Sequence, residues 1–180
     1  MKKSEIRKKI LKIRKARYSN KIKIDFQSLL KVFKKEKIKG KIIGGYYPYN
    51  FEIDSIEILN KLESRNYIIS LPKIRSNYLM DFFKWSNDDP LNVNSLGIPE
   101  PISKDIVYPN IILVPLVAFD KKLNRVGYGG GFYDRYIKKI KKIKKITVIG
   151  LAYSFQKVKK ISIDKNDMKL DFLVTEKKLK

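Results

Sequence analysis

The chain contains no cysteine and no histidine. The first absence excludes a disulfide scaffold, a thiolate nucleophile and a thiolate-held zinc. The second removes the commonest general base, every Ser-His-Asp arrangement and most transition-metal sites. Chemistry must therefore rest on carboxylates, lysine, arginine, tyrosine, backbone amides and hard metal ions. Long apolar runs are lacking as well, and none approaches the roughly 18–20 residues that a membrane span requires. Residues 1–17 are basic from the start, without the separate apolar stretch of a signal peptide. The expectation is a soluble, cytoplasmic protein without a membrane partner. Acidic residues are scarce, with 18 Asp+Glu against 41 Lys+Arg and a formal charge of +23.

Two readings of that charge compete. A basic surface that neutralises phosphates would suit a nucleic-acid binder. Composition drift explains it better, because the lysines are spread along the whole chain beside abundant Ile and Asn. Either way, anionic small molecules are drawn toward the protein. The 180 residues match one domain, and 43% hydrophobic content is enough for a substantial core.

Hydrophobic periodicity predicts a helix over residues 2–18, with Ile6, Ile10 and Ile13 on one face. Lys3, Arg7 and Arg14 form a basic stripe beside that face. Lys2 and Lys3 sit at the positive end of the helix dipole, where an anion would offset the unfavourable placement; a solvated basic stripe is the alternative. A second helix is expected over residues 24–37, stopping at Gly40. A third is expected over residues 54–66, with Asp54 as N-cap and Glu57 completing a capping box. Strands are expected over residues 41–47, 67–71 (stopped by Pro72), 111–119, 145–151 and 171–175. The aromatic-rich residues 78–85 should be extended, with Phe82, Phe83 and Trp85 in the core. Residues 87–109 hold four of the seven prolines and read as a long ordered loop. Residues 132–142 should be helical, the 138–145 lysine run a solvated helix end, and residues 177–180 frayed. Strands alternating with helices, several of them continuous apolar runs, predict one three-layer α/β domain over residues 1–180. Its sheet should be open and mostly parallel, with helices on both faces.

The informative segment is VPLVAFDKKLNRVGYGGGFYDRY, residues 114–136. It leaves the central strand, turns with Asn124 in a left-handed position, passes Arg125 and four glycines, and enters a helix. Glycines before a helix N-terminus offer backbone N–H groups, a positive dipole end and room for a phosphate. Arg125 can fork onto phosphate oxygens, and Asp134 could hold a hard cation beside them. The spacing is neither Walker A nor GxGxxG. A structural turn, with Asp134 only a helix-start residue, would read the same way on the glycines alone.

The whole string resembles the signature of the 5-formyltetrahydrofolate cyclo-ligase family. The matching residues are Val114, Pro115, Phe119, Asp120, Arg125, Gly127, Gly129, Gly131, Phe132, Tyr133 and Asp134. The likeness extends to KSEIR near the start, YYPYNFEID at residues 46–54, Leu71-Pro72, GIPEP at residues 97–101 and NDMKLDFLVTE at residues 166–176. It implies ATP contacts from Lys3, Ser4, Glu5, Ile6, Arg7, Arg125, Val126, Gly127, Tyr128, Gly129, Gly130, Gly131, Phe132 and Tyr133. Arg125 and Asp134 would be catalytic, Tyr47 and Glu52 would contact the folate, and Asp134 and Asp167 would bind Mg²⁺. Tyr128 and Gly130 depart from relatives that carry a basic residue at one of these positions. Asn166 stands where bacterial relatives often have His. The missing positive charge would then come from Lys3, Arg7 or Lys73.

The resemblance implies ATP- and Mg²⁺-dependent closure of 5-formyltetrahydrofolate to 5,10-methenyltetrahydrofolate by a monomer that needs no specific nucleic acid. Two alternatives stand beside it: a nucleic-acid-binding module, and another ATP- or sugar-phosphate-using enzyme on a similar sheet. Without the resemblance, Glu52 reads as an exposed loop acid, and Tyr46, Tyr47 and Tyr49 as sheet-edge packing.

Overall fold

The computed structural model describes residues 1–35 and 37–177. Residues 178–180, within the stretch expected to fray, lie outside the described residues. The elements run α1 (Lys3–Arg17), α2 (Phe26–Lys35), β1 (Ile42–Gly44), α3 (Ile56–Glu63), β2 (Ile68–Arg75), β3 (Leu79–Lys84), β4 (Leu91–Val93), β5 (Pro99–Pro101), β6 (Ile106–Val107), β7 (Ile111–Pro115), β8 (Ala118–Phe119), β9 (Arg125–Val126), α4 (Phe132–Lys141), β10 (Thr147–Leu151) and β11 (Phe172–Val174). Seven strands form one sheet in the order β11-β10-β7-β1-β2-β3-β6. The strands from β11 to β2 run parallel, and β3 and β6 add an antiparallel edge.

The apolar run of β7 explains the three layers. Side chains alternate across a strand. Ile111 and Leu113 join a core with α2 (Leu29, Val32, Phe33) and α3 (Leu59, Leu62). Ile112 and Val114 join a core with α4 (Tyr136, Ile137, Ile140) on the other face. Helix α1 packs separately, through Ile6 and Ile10, on Val117, Ala118 and Val126 of the β8–β9 hairpin. Phe82, Phe83 and Trp85 are buried as expected.

Several boundaries differ from the periodicity reading. Strand β2 runs straight through Pro72, which pairs with Phe82. The Ser70 carbonyl accepts from Gly45 N–H, so the polar groups of Ser70, and by the two-residue period those of Pro72, face the β1 side. The β1 pairing ends at Ser70, so the missing proline N–H costs no ladder bond. The expected long strand ends at Pro115; Ala118–Phe119 instead pairs antiparallel with Arg125–Val126. Residues 87–109 contain the β4–β5 hairpin and β6 rather than only loop. Helix α2 ends before Gly40, with Lys37 left-handed (φ 48°) and Ile38 N–H bonded to Phe33 O. Asp54 closes no capping box: its Oδ1 accepts from Ile56 N–H, while Glu57 pairs with Lys23 and Lys61. In the 120–124 turn Leu123 (φ 61°), not Asn124, is left-handed. Asn124 instead donates its side-chain amide to Asp120.

Strand β1 lies between β2 and β7, so the chain builds the sheet outward from β1 in one direction and then in the other. At such a switch point the loops leaving adjacent strands diverge, and a crevice opens at the carboxyl ends.

Candidate functional site

A cavity of about 1260 Å³ fills that crevice. Its walls come from the segment after β1 (Tyr46 to Glu52), the residues around β9 and the glycine loop, the N-terminal end of α1, and the β4–β5 hairpin. A second wall residue set, Asp164 to Asp167, precedes β11.

One side of the cavity gathers groups of the kind that bind anions. Gly131 is the N-cap of α4 in the left-handed region (φ 68°), and among the described residues no side chain caps the helix. Gly129 is also left-handed, at φ 112°. The first N–H groups of α4 therefore face the cavity mouth without a side-chain acceptor of their own. Arg125, only 8% exposed, donates to Asp134 Oδ1 at 2.7 Å. Among the described residues its buried Nε has no partner, a cost that a bound acceptor would remove. Arg7 Nε donates to Gly127 O at 2.7 Å, and its guanidinium lies beside Gly129. Lys3 Nζ donates to Asp164 Oδ2 at 2.7 Å and to Asp167 Oδ2 at 2.5 Å. Partial burial opposes the lysine charge, but the two aspartates hold Lys3 above its ordinary pKa. Burial likewise works against the Asp167 carboxylate, yet its bonds from Lys3 and Asp164 N–H keep it below the usual range.

Both Asp134 and Asp167 keep one oxygen clear. Asp134 Oδ1 accepts from Arg125 and from Met168 N–H, and Asp167 Oδ2 from Lys3 and Asp164 N–H. Among the described residues no hydrogen bond ends on Asp134 Oδ2 or Asp167 Oδ1. Those residues also include no cluster of three or more acidic groups. The donor set thus suits a hard cation that shares its remaining positions with water and phosphate oxygens, rather than a closed protein cage.

The opposite side is aromatic and carboxylic. Tyr46 and Glu52 are buried and Tyr47 half-buried along the wall. Glu52 Oε2 accepts from Tyr49 N–H at 2.9 Å. Burial pushes the Glu52 carboxyl up to about 7, against the opposing pull of the Tyr49 N–H and the Arg14 charge. Tyr128 turns its ring to this side, edge-on to Tyr49 with centroids 5.9 Å apart. Tyr133 lies between the two halves; its buried hydroxyl has no partner among the described residues, and burial raises its pKa.

The expected site residues are gathered unevenly. Arg125, Val126, Gly127, Tyr128, Gly129, Gly130, Gly131, Phe132, Tyr133, Asp134, Asp167, Tyr47, Glu52, Lys3 and Arg7 all line the one cavity. Ile6 points into the core with Val117, Ser4 is exposed, and Glu5 accepts from Lys2 N–H at the helix start. Glu52 is buried, not the exposed loop acid that its sequence context alone allows. Of the cations considered for the missing positive charge, Lys3 is held by aspartates and Lys73 stands over the Phe83 ring, leaving Arg7 nearest the glycines. Arg135, Asp164 and Glu100 also line the cavity and escaped the sequence reading. Arg135 donates to Gly130 O and Tyr78 O, and Glu100 accepts from Ile74 N–H and Asn94. The Arg following FYD was a visible signal for Arg135 and the GIPEP segment one for Glu100; Asp164 had none.

Comparison with known proteins agrees along most of the chain. The model of the 5-formyltetrahydrofolate cyclo-ligase family matches residues 1–176. The 5-formyltetrahydrofolate cyclo-ligase of Haemophilus influenzae is 36% identical over 148 residues, which cover 77% of this chain and 78% of that protein. Its counterpart from Escherichia coli K12 is 32% identical, covering 74% and 77%. The NMR structure of Aquifex aeolicus 5,10-methenyltetrahydrofolate synthetase superposes with a TM-score of 0.78 at 32% identity, covering 98% of this chain and 91% of that one. The 5,10-methenyltetrahydrofolate synthetase of Mycoplasma pneumoniae superposes with a TM-score of 0.75 at 26% identity, covering 98% and 100%.

Proposed function

Given that the chain belongs to the 5-formyltetrahydrofolate cyclo-ligase family, we propose that its cavity binds ATP and 5-formyltetrahydrofolate side by side and closes the folate to 5,10-methenyltetrahydrofolate. The carrying observation is that one switch-point crevice joins an uncapped glycine-loop helix terminus, with Arg125 beside it, to a buried carboxylate–tyrosine wall.

In this reading the triphosphate lies against the amides of residues 127–131, with Arg125, Arg7 and Lys3 as its cations. The pterin lies on the Tyr47–Glu52 side, where the Glu52 carboxylate accepts from the ring amino and amide N–H groups. The formyl oxygen on N5 attacks the γ-phosphorus, and the bond to ADP breaks. N10 then attacks the activated formyl carbon, the C–O bond to phosphate breaks, the N10 proton leaves with the phosphate, and the ring closes. No protein nucleophile is needed, in keeping with a chain that has neither Cys nor His. The protein's work is positioning and charge stabilisation. Arg125 stabilises charge on the transferred phosphoryl oxygens while Asp134 orients its guanidinium. Asp134 and Asp167 would hold Mg²⁺ through their clear oxygens. When bound, that ion supplies charge neutralisation at the β- and γ-phosphates.

Mixing the protein with ATP, Mg²⁺ and 5-formyltetrahydrofolate should yield the near-ultraviolet absorbance of the methenyl product. No absorbance, or the same absorbance without ATP, would refute the reading. A nucleic-acid binder would give no such absorbance, and its affinity for polyanions would fall steeply with salt.

A further inference from the structure

Lys3, Arg7 and Arg14 fall on one stripe of α1, because four and seven residues are close to one and two helical turns. Lys3 and Arg7 line the cavity, whereas Arg14 is buried at 1% exposure and is not part of its lining. Its surroundings are unusual for a charge. Among the described residues no carboxylate pairs with it directly, and its Nε is buried without a partner. Nη1 donates to Leu116 O at 3.2 Å, just beyond the end of β7. Nη2 donates to the Tyr128 hydroxyl, and the guanidinium carbon stands 5.5 Å from the centre of that ring.

The Tyr128 hydroxyl, occupied as acceptor by Arg14, donates in turn to Tyr49 O at 3.4 Å. Tyr49 N–H then holds Glu52 Oε2 at 2.9 Å. The donors run in one direction, from α1 through the glycine loop to the wall assigned above to the pterin. A buried guanidinium without a paired carboxylate destabilises a fold, and an apolar side chain of similar volume would be tolerated as well or better. The helix thus carries a costly charge whose contacts lead to the folate wall rather than into the apolar core.

We infer that Arg14 is a positioning residue of the folate half-site: it locks Tyr128 against the Tyr49–Glu52 segment and so fixes the surface on which the pterin is held. This inference rests on the cyclo-ligase reading above. It gives Tyr128 a cation supplied from α1.

The test is a cycle of Arg14→Met, Tyr128→Phe and the double variant. Each is followed by thermal melting, by steady-state kinetics with 5-formyltetrahydrofolate and ATP varied separately, and by calorimetric binding of 5-formyltetrahydrofolate alone. Arg14→Met should melt at or above the wild-type temperature, while its KM and Kd for the folate rise about tenfold, the worth of one charge-assisted hydrogen bond. The KM for ATP should stay within about twofold, since Arg14 makes none of the contacts assigned to phosphate. Tyr128→Phe should raise the folate constants similarly, and the double variant should be no worse than the poorer single one. Unchanged folate constants in Arg14→Met overturn the inference. So do a lowered melting temperature with normal kinetics, and multiplicative effects in the double variant. If Arg14→Met does not fold, Tyr128→Phe decides alone, and normal folate constants there overturn it. A wild-type protein that binds the folate but never turns it over with ATP refutes the cyclo-ligase reading alone, and the binding constants still judge Arg14. A wild type that binds no folate refutes both.

Discussion

Glu52 offers the sharpest quantitative test of how the cavity is used. Its carboxyl is buried and raised from 4.5 to about 7. In the free protein it is therefore about one-tenth ionised at pH 6, half at pH 7 and nine-tenths at pH 8. A pterin edge offers N–H donors, which a carboxylate accepts and a protonated carboxyl meets with a donor of its own. The KM for 5-formyltetrahydrofolate should accordingly fall roughly tenfold between pH 6 and pH 8, while the KM for ATP changes little. Glu52→Gln should abolish that slope and raise the folate KM at pH 8 by about 10- to 100-fold, the scale of a hydrogen bond to a charged group. Stability moves the other way. The folded pKa lies above the unfolded one, so the native state holds the extra proton between about pH 4.5 and 7, and wild-type stability falls as pH rises through that window. The carboxylate thus costs the fold about 3 kcal/mol above pH 7, and Glu52→Gln should recover much of it in urea titrations at pH 8. A folate KM that is flat or rises from pH 6 to pH 8, or a Gln variant that keeps the slope, would refute the reasoning.

Other expectations follow from the anion side. Arg125→Ala and Asp134→Asn should each lower kcat by about 100-fold or more, the effect of one preorganised charge contact, and near-normal turnover in both would refute their assignment. Gly131→Ala should destabilise by about 1–2 kcal/mol through its left-handed backbone. Its methyl would also lie 2.8 Å from Arg135 Nη1, so weakened ATP binding should accompany the shift in thermal melting. Lys3→Met should raise the KM for ATP and leave the folate KM unchanged; equal effects on both would show that Lys3 serves the whole fold instead.

Much of the architecture was legible because it is written in short-range patterns. The continuous apolar residues 111–114 announced a strand buried on both faces, and the structure divides them between two cores as a two-residue period demands. The isoleucines of α1 announced a helix with one buried face, and Ile6 and Ile10 occupy it. Errors arose where tertiary context overruled a local cue. Proline normally ends a strand, but Pro72 sits just where β2 has lost its neighbour and needs no N–H. Asp54 and Glu57 have capping-box spacing, but Lys23 and Lys61 compete for the glutamate. The apolar run past Pro115 looked like one strand; with the β10 pairing finished, its later residues turned to β9.

What the sequence by itself determined, then, was the alternation of strands and helices, the glycine segment with its flanking Arg125 and Asp134, and the family likeness. These depend on neighbours within a few residues, where backbone geometry dictates the outcome. Only the tertiary structure decided that Arg14, Leu116, Tyr128, Tyr49 and Glu52 meet, that Asp164 shares Lys3 with Asp167, and that Tyr128 faces the Tyr49–Glu52 wall. Those partners lie far apart along the chain. They converge because the strand order reverses between β1 and β7, a property of the assembled sheet that no local stretch of residues encodes.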